Sequence, residues 1–257
     1  MKRIITTIAA ILTILVANAQ EVLHTPAPPI EKLTYMGYYN WGFIWIKAGK
    51  VEFTQQESPK YPNAQFLQAV GYTTPTWDEI FMLRDTLYSH FDNTTFKPYE
   101  FSRKAHEGKY HKTFDYTFDY ADSVIYGDIN RIGRWQKNDT TQMVPNLYDM
   151  LSIAWYARGL DFSSYKVGDK IPIKIFLDSE ICDLYVRYLG KDKFKLAGTK
   201  HDCYVFAPLL VAGEVFKGGE NMKIWVTADE KRIPLLIEAK ILVGSIKGIL
   251  VPNESKY

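Results

Sequence analysis

From Tyr35 onward, apolar and polar residues alternate with period two for most of the chain, the pattern of half-buried strands. GYYNWGFIWIKAGKVEF (37–53) holds two aromatic runs around Gly42, with a second break at Gly49, and glycine inside such a pattern marks a bulge or sharp coil. NAQFLQAVGYTT (63–74), MLRDTLYSHFD (82–92), YEFSRKAHE (99–107), KYHKTFDYTFDY (109–120) and SVIYGDI (123–129) continue it, and TPTWDEI reads as a short turn or helix. Asn93-Thr94 and Glu107-Gly108 supply turn chemistry. The period then changes. In NLYDMLSIAWYARGLDF (146–162), Leu147, Met150, Leu151, Ala154, Trp155 and Arg158 fall at helical spacing, predicting one main helix near 146–158. Asn146 or Asp149 starts it and Gly159 ends it; Arg158 either suits the negative end of its dipole or pairs with a buried acid. Strand patterns resume at 171–177, 180–189, 203–211, 222–228, 232–242 and 244–251. The expected fold is mainly β: one large curved antiparallel sheet of about a dozen strands, barrel-like or folded on itself, with a single inserted helix lining its concave side.

The segment HKTFDYTFDYAD (111–122) repeats TFDY in tandem. At ~3.3 Å per residue, Asp115 and Asp119 stand about 13 Å apart, beyond the roughly 5–9.5 Å of paired glycosidase carboxylates. One metal ion cannot span that gap either. The acids therefore read as a solvent face, and Phe114, Tyr116, Phe118 and Tyr120 as an aromatic face meeting the core or a ligand.

The N-terminus changes the picture of where the protein works. Lys2 and Arg3 precede an apolar run from Ile4 to Val16 and an Ala17-Asn18-Ala19 cleavage pattern, which together read as a secretory signal at 1–19. No later stretch approaches the ~20 apolar residues of a membrane span. A Pro-rich lead-in follows at 20–33, then a single β-rich domain at 34–257. Without Lys2 and Arg3 the 31 basic residues fall to 29, equal to the 29 acids, so a basic field for nucleic acid is not expected. Aromatics make up 15% of the chain, which suits strands.

Candidate chemistry is sparse. Cys182 and Cys203 are the two cysteines, and export would let a disulfide persist. A hairpin turn at Asp192-Lys193 would set them opposite each other; the alternative is two buried thiols. His106 and His111 would face each other across a four-residue loop, with Glu107 beside them, but no third ligand is fixed by spacing, so no metal is assigned. His201 and Cys203 lie ~6.6 Å apart along a strand and lack an orienting group. Asp149 and Ser152 have no histidine near them in sequence. GSIKG (244–248) is not a nucleophile elbow, and no phosphate-binding or dinucleotide fingerprint is present, so no cofactor is expected.

Several fragments in order carry a resemblance: Gly42-Phe43-Ile44 with Gly49, Arg84-Asp85, Pro98 before an aromatic strand, and Asp149-x-Leu151-Ser152 with Arg158. Gly168-Asp169, Ile224-Trp225 to Asp229, Arg232-Ile233-Pro234 and Gly244-Ser245 to Leu250 complete it. The chain resembles, over about 35–252, the exported bacterial family of domain of unknown function 3108. That resemblance implies a periplasmic envelope protein with a β fold like envelope carriers, and it supplies no catalytic residues. The expected function is non-enzymatic: binding or carrying an apolar or amphipathic envelope ligand such as a lipid. Trp41, Phe43, Trp45, Phe114, Phe118, Trp155 and Trp225 are the candidate lining residues. The rival expectations are an assembly protein that recruits an envelope partner by strand addition, and a hydrolase or glycan-active enzyme with a dispersed site.

Overall fold

The computed structural model of the protein describes residues 30–41, 44–211, 218–241 and 244–257. The expected leader at 1–19, the expected lead-in up to residue 29, and Phe43 lie outside the described residues. Strand β1 (Glu31–Trp41) begins inside the expected lead-in.

Period-two alternation produces strands β2 (Ile44–Glu57), β3 (Ala64–Thr73), β4 (Arg84–Asp92), β5 (Pro98–Glu107), β6 (Tyr110–Asp119), β7 (Val124–Arg131) and β8 (Trp135–Gln142). Strands β9 (Leu147–Tyr148), β10 (Lys170–Leu177), β11 (Glu180–Leu196), β12 (Thr199–Pro208), β13 (Met222–Thr227), β14 (Pro234–Lys240) and β15 (Ser245–Leu250) follow. All fifteen form one sheet in the order β8 to β1, then β15 down to β9. Neighbours are antiparallel except β9 and β10. Each strand therefore pairs with its neighbour in sequence, and β1 joins β15 at the centre. The sheet curls until β6 meets β10: Phe176 lies edge-on to Tyr116 and Phe118, with ring centroids 4.8 and 6.1 Å away. Strands β8 and β9 remain as edges, so the shell is barrel-like but open.

Two short helices interrupt the strands: α1 (Pro75–Asp78) and α2 (Ser152–Gly159). Helix α2 is the inserted helix, shorter than the expected 146–158 because Leu147 and Tyr148 are captured as β9. Asp149 then starts the helix, its Oδ1 accepting the backbone N–H groups of Leu151 and Ser152 at 2.6 and 2.8 Å. One end of the helix packs on the aromatic cluster of β3–β7, the other towards β10–β13.

Of the two alternatives for Cys182 and Cys203, a disulfide or two thiols, the structure shows two thiols. Strand β11 runs straight through Asp192-Lys193, and the hairpin turns at Ala197-Gly198, whose φ values of 46° and 91° are those of a tight primed turn. Asp192, not Cys182, then faces Cys203, while Cys182 faces Ile175. Ten residues of extended strand separate Cys182 from Asp192, roughly 33 Å at ~3.3 Å each, and both thiols are free.

Candidate functional site

Between α2 and the inner face of the sheet lies a cavity of about 170 Å³. Its helix wall is Ala154, Trp155, Ala157 and Arg158, with Leu160 and Phe162 just beyond. Leu33, Tyr35 and Phe53 close it from β1 and β2; Ile171, Val186, Phe206, Ile224, Val226 and Ile237 form the wall on β10–β14. Two alanines on consecutive helix turns leave the space that longer side chains would fill. An apolar cavity of about 150 Å³ stays dry and takes up benzene, so this one suits a hydrocarbon ring or chain segment.

The polar groups at its wall are committed elsewhere. Arg158 grips Glu31 in a two-pronged ion pair, Nη1 to Oε2 at 2.6 Å and Nη2 to Oε1 at 2.8 Å, and also donates to the carbonyls of Lys231 and Arg232. The Tyr35 hydroxyl donates to the Pro234 carbonyl at 2.8 Å, and burial pushes its pKa up. Arg232 reaches back to the carbonyls of Arg158 and Leu160, satisfying the helix C-terminus. The pairing of Arg158 with a buried acid, one of its two expected roles, is thus realised with Glu31.

Of the seven candidate aromatic residues, Trp155 lines the cavity, and its indole N–H donates to Gln55. Phe114 and Phe118 are buried in the core cluster and do not reach the cavity. They face inward as the TFDY pattern requires, but the aromatic face meets other rings. Asp115 is exposed, and Asp119 caps a turn by accepting the N–H groups of Ala121 and Asp122. Trp225 misses the cavity by one residue: Ile224 and Val226 line it, while the Trp225 indole N–H donates to Asp192 at 3.0 Å. Trp45 is exposed at 39% and lies under the Lys247 ammonium, 4.2 Å from the ring centre. The backbone of Trp41 ends β1, and Phe43 is outside the described residues. The lining that sequence reasoning missed is largely aliphatic, with Tyr35, Phe53, Phe162 and Phe206 among it, and the signal for its β10 part was the Ile-x-Ile alternation of IPIKIFL.

Three polar constellations bear on catalysis. Gly108 and Lys109 make a two-residue turn, and His106 and His111 still face each other, ring centroids 3.7 Å apart. No third metal ligand joins them among the described residues. Asp85 and Glu107 converge on Arg103 Nη2 at 3.0 and 2.6 Å, so a guanidinium stands between the two carboxylates. Ser58 Oγ and His90 Nδ1 share a hydrogen bond of 2.8 Å, within nucleophile-to-base reach. The same Ser58 hydroxyl accepts the N–H groups of Lys60 and Tyr61, the imidazole is buried against Tyr61 and Phe66, and burial lowers its pKa. Glu100, opposite His90, is held by Lys60 and the Tyr61 hydroxyl. This cluster locks the turn between β2 and β3.

Fold and cavity together define an open antiparallel β shell with a short helix sealing an apolar hollow. The chain belongs to the family described as Protein of unknown function (DUF3108), whose model matches residues 34–251. No curated protein matches it. Among solved structures it is similar to the crystal structure of a beta-barrel-like protein of domain of unknown function DUF1849 from Brucella abortus. The TM-score is 0.57 at 11% identity, covering 88% of this chain and 98% of that one. At that identity the likeness is one of fold.

Proposed function

We propose that this protein is an exported, periplasmic binding or carrier module that takes the apolar part of an amphipathic envelope ligand, a lipid chain foremost, without catalysing a reaction. The observation that carries the proposal is the cavity beneath α2, whose wall is almost wholly hydrocarbon. Its volume of about 170 Å³ is below the roughly 300–1,000 Å³ of pockets that enclose whole drug-sized ligands, which favours partial burial of a chain over enclosure of a complete lipid. Asp85, Glu107, Ser58 and His90 all lie outside its wall, which supports binding over catalysis. The leader at 1–19 supports export.

The test is native mass spectrometry of the protein purified from bacterial envelope, with displacement of an uncharged fluorescent naphthylamine probe as a second readout. A bound lipid mass and probe uptake are expected, and Ala157→Phe, which fills the cavity from the helix, should weaken both by about tenfold. An apo mass alone, with probe uptake unchanged in A157F, refutes the reading.

A second reading rests on a different observation. Strand β8 is an eight-residue edge with no strand beyond it among the described residues; after Trp135 it is polar, and it is mostly exposed. An extended segment of an envelope partner could add there by backbone pairing.

A further inference from the structure

Strand direction divides the shell into two rims. The β1–β2, β3–β4, β5–β6, β7–β8, β10–β11, β12–β13 and β14–β15 connections all fall on one of them. Ile44 and Trp45 stand on this rim at the β1–β2 tip, 66% and 39% exposed. Ile80 and Phe81 project from the β3–β4 connection at 65% and 46%, and Ile132 and Trp135 from the β7–β8 turn at 58% and 45%. Such side chains in water are unfavourable unless something covers them, and aromatic and aliphatic residues on separate hairpin tips cannot cover one another.

Cations stand on these tips and on the connections beside them. Arg134 sits in the β7–β8 turn, Lys109 in the β5–β6 turn, Lys47 beside Trp45, Lys240 at the end of β14 and Lys223 at the start of β13. All five are exposed and make no ion pair among the described residues. Among the described residues, the exposed acids towards this rim without an ion pair are Glu79, Asp128, Asp178 and Glu180, so the five cations are in slight excess.

The cavity opens the same way. On β10, β11, β12 and β13 the wall residues nearer this rim are Ile173, Val186, Pro208 and Ile224, all half-buried. Their counterparts one step deeper, Ile171, Tyr188, Phe206 and Val226, are buried.

We propose that this rim docks on an anionic lipid bilayer, the apolar tips entering the interface and the cations meeting lipid phosphates, which brings the cavity mouth to the membrane surface. Tryptophan, isoleucine and phenylalanine with interleaved lysine and arginine are the chemistry of an interfacial anchor, each cation adding attraction to negatively charged headgroups. Without Lys2 and Arg3 the chain carries 29 basic and 29 acidic residues, so its net charge alone gives no attraction to an anionic surface.

Flotation of the chain from residue 20 with phosphatidylglycerol–phosphatidylcholine vesicles, against pure phosphatidylcholine vesicles, tests this. Binding to the anionic vesicles is expected, weakening as salt rises, with quenching of tryptophan fluorescence by brominated lipid. The double variants I80D/F81D and K47E/K240E, each checked for folding by circular dichroism, should bind about tenfold more weakly. Val167→Asp, on the opposite rim, should bind like the unaltered protein. A157F, altered inside the cavity, should also keep vesicle binding, so failure of the cavity reading stays distinguishable from failure of this one. The proposal is overturned if neither vesicle binds, if the rim variants bind undiminished, or if they instead convert a dimer to a monomer, which would make a second copy the occupant of the tips.

Discussion

Asp149 is a carboxylate with almost no exposure, at 1%, and three hydrogen-bonding partner residues. Ser89 donates to its Oδ2 at 2.5 Å, Leu151 and Ser152 donate backbone N–H groups to its Oδ1, and the Ser152 hydroxyl accepts its own N–H. Burial raises its pKa to about 6, and the hydrogen bonds offset only part of that. The folded state therefore holds this proton more tightly than the unfolded chain does. Between pH ~4 and ~6 the fold binds more protons, so this group's contribution is fully present below that window and declines as pH rises through it, by on the order of 3 kcal/mol. D149N keeps the Oδ1 acceptor and removes the titration. Urea unfolding of both proteins should show wild-type stability falling relative to D149N across that window, whereas parallel profiles would mean that Asp149 titrates normally.

Strands β1, β2 and β3 meet where glycine is required. Gly37 faces Gly49, and the register then slips so that Tyr38 faces Lys47, leaving Ala48 as the extra residue of a bulge. The Ala48 carbonyl accepts the N–H of Thr74, which ties the bulge to the start of α1. A Cβ on Gly49 would stand 2.5 Å from the Tyr72 carbonyl oxygen and 3.2 Å from Thr73 Cα, both backbone atoms with little freedom to move. Gly49→Ala should therefore cost about 2 kcal/mol, seen as a lower urea midpoint with an unchanged slope. The break at Gly49 was legible as a bulge in GYYNWGFIWIKAGKVEF, but the carbonyl it accommodates belongs to a strand paired later in the chain. Strand β8 was not legible at all: WQKNDTTQ buries so little that it carries no apolar alternation, and only pairing with β7 makes it a strand.

The molecule as a whole is tied across its centre by Glu31 and Arg158. Their side chains are 2% and 10% exposed, and they join the first strand, the helix and the β13–β14 turn. Removing one partner strands a buried charge: Arg158→Met should cost about 3 kcal/mol, and R158M/E31Q should recover a large part of it in a double-mutant cycle. A double variant that loses the sum of the R158M and E31Q losses would show that the charges do not interact. An eight-residue helix is too short to persist alone, so its position over the cavity depends on this clasp and on Arg232.

Period two placed the β fold, most strands, the inward Phe114, Tyr116 and Phe118 of the TFDY repeat and the exposed Asp115, because alternation is a local consequence of strand geometry. Tyr120, 39% exposed, departs from that face because β6 ends at Asp119. The same locality limited the rest. The β11–β12 register depended on whether the chain turned at Asp192-Lys193 or Ala197-Gly198, and the extended pairing with β12 decided for the latter. Aromatic content pointed to Phe114, Phe118 and Trp225 as lining, yet which inward side chains pack and which leave a gap depends on how far a fifteen-stranded sheet curls. Curling presses β6 against β10 and consumes the aromatic face, while two alanines of α2 hold open a hollow against apolar residues of seven strands. Those residues are separated by dozens of positions in the chain, and a cavity is a property of their joint placement rather than of any segment.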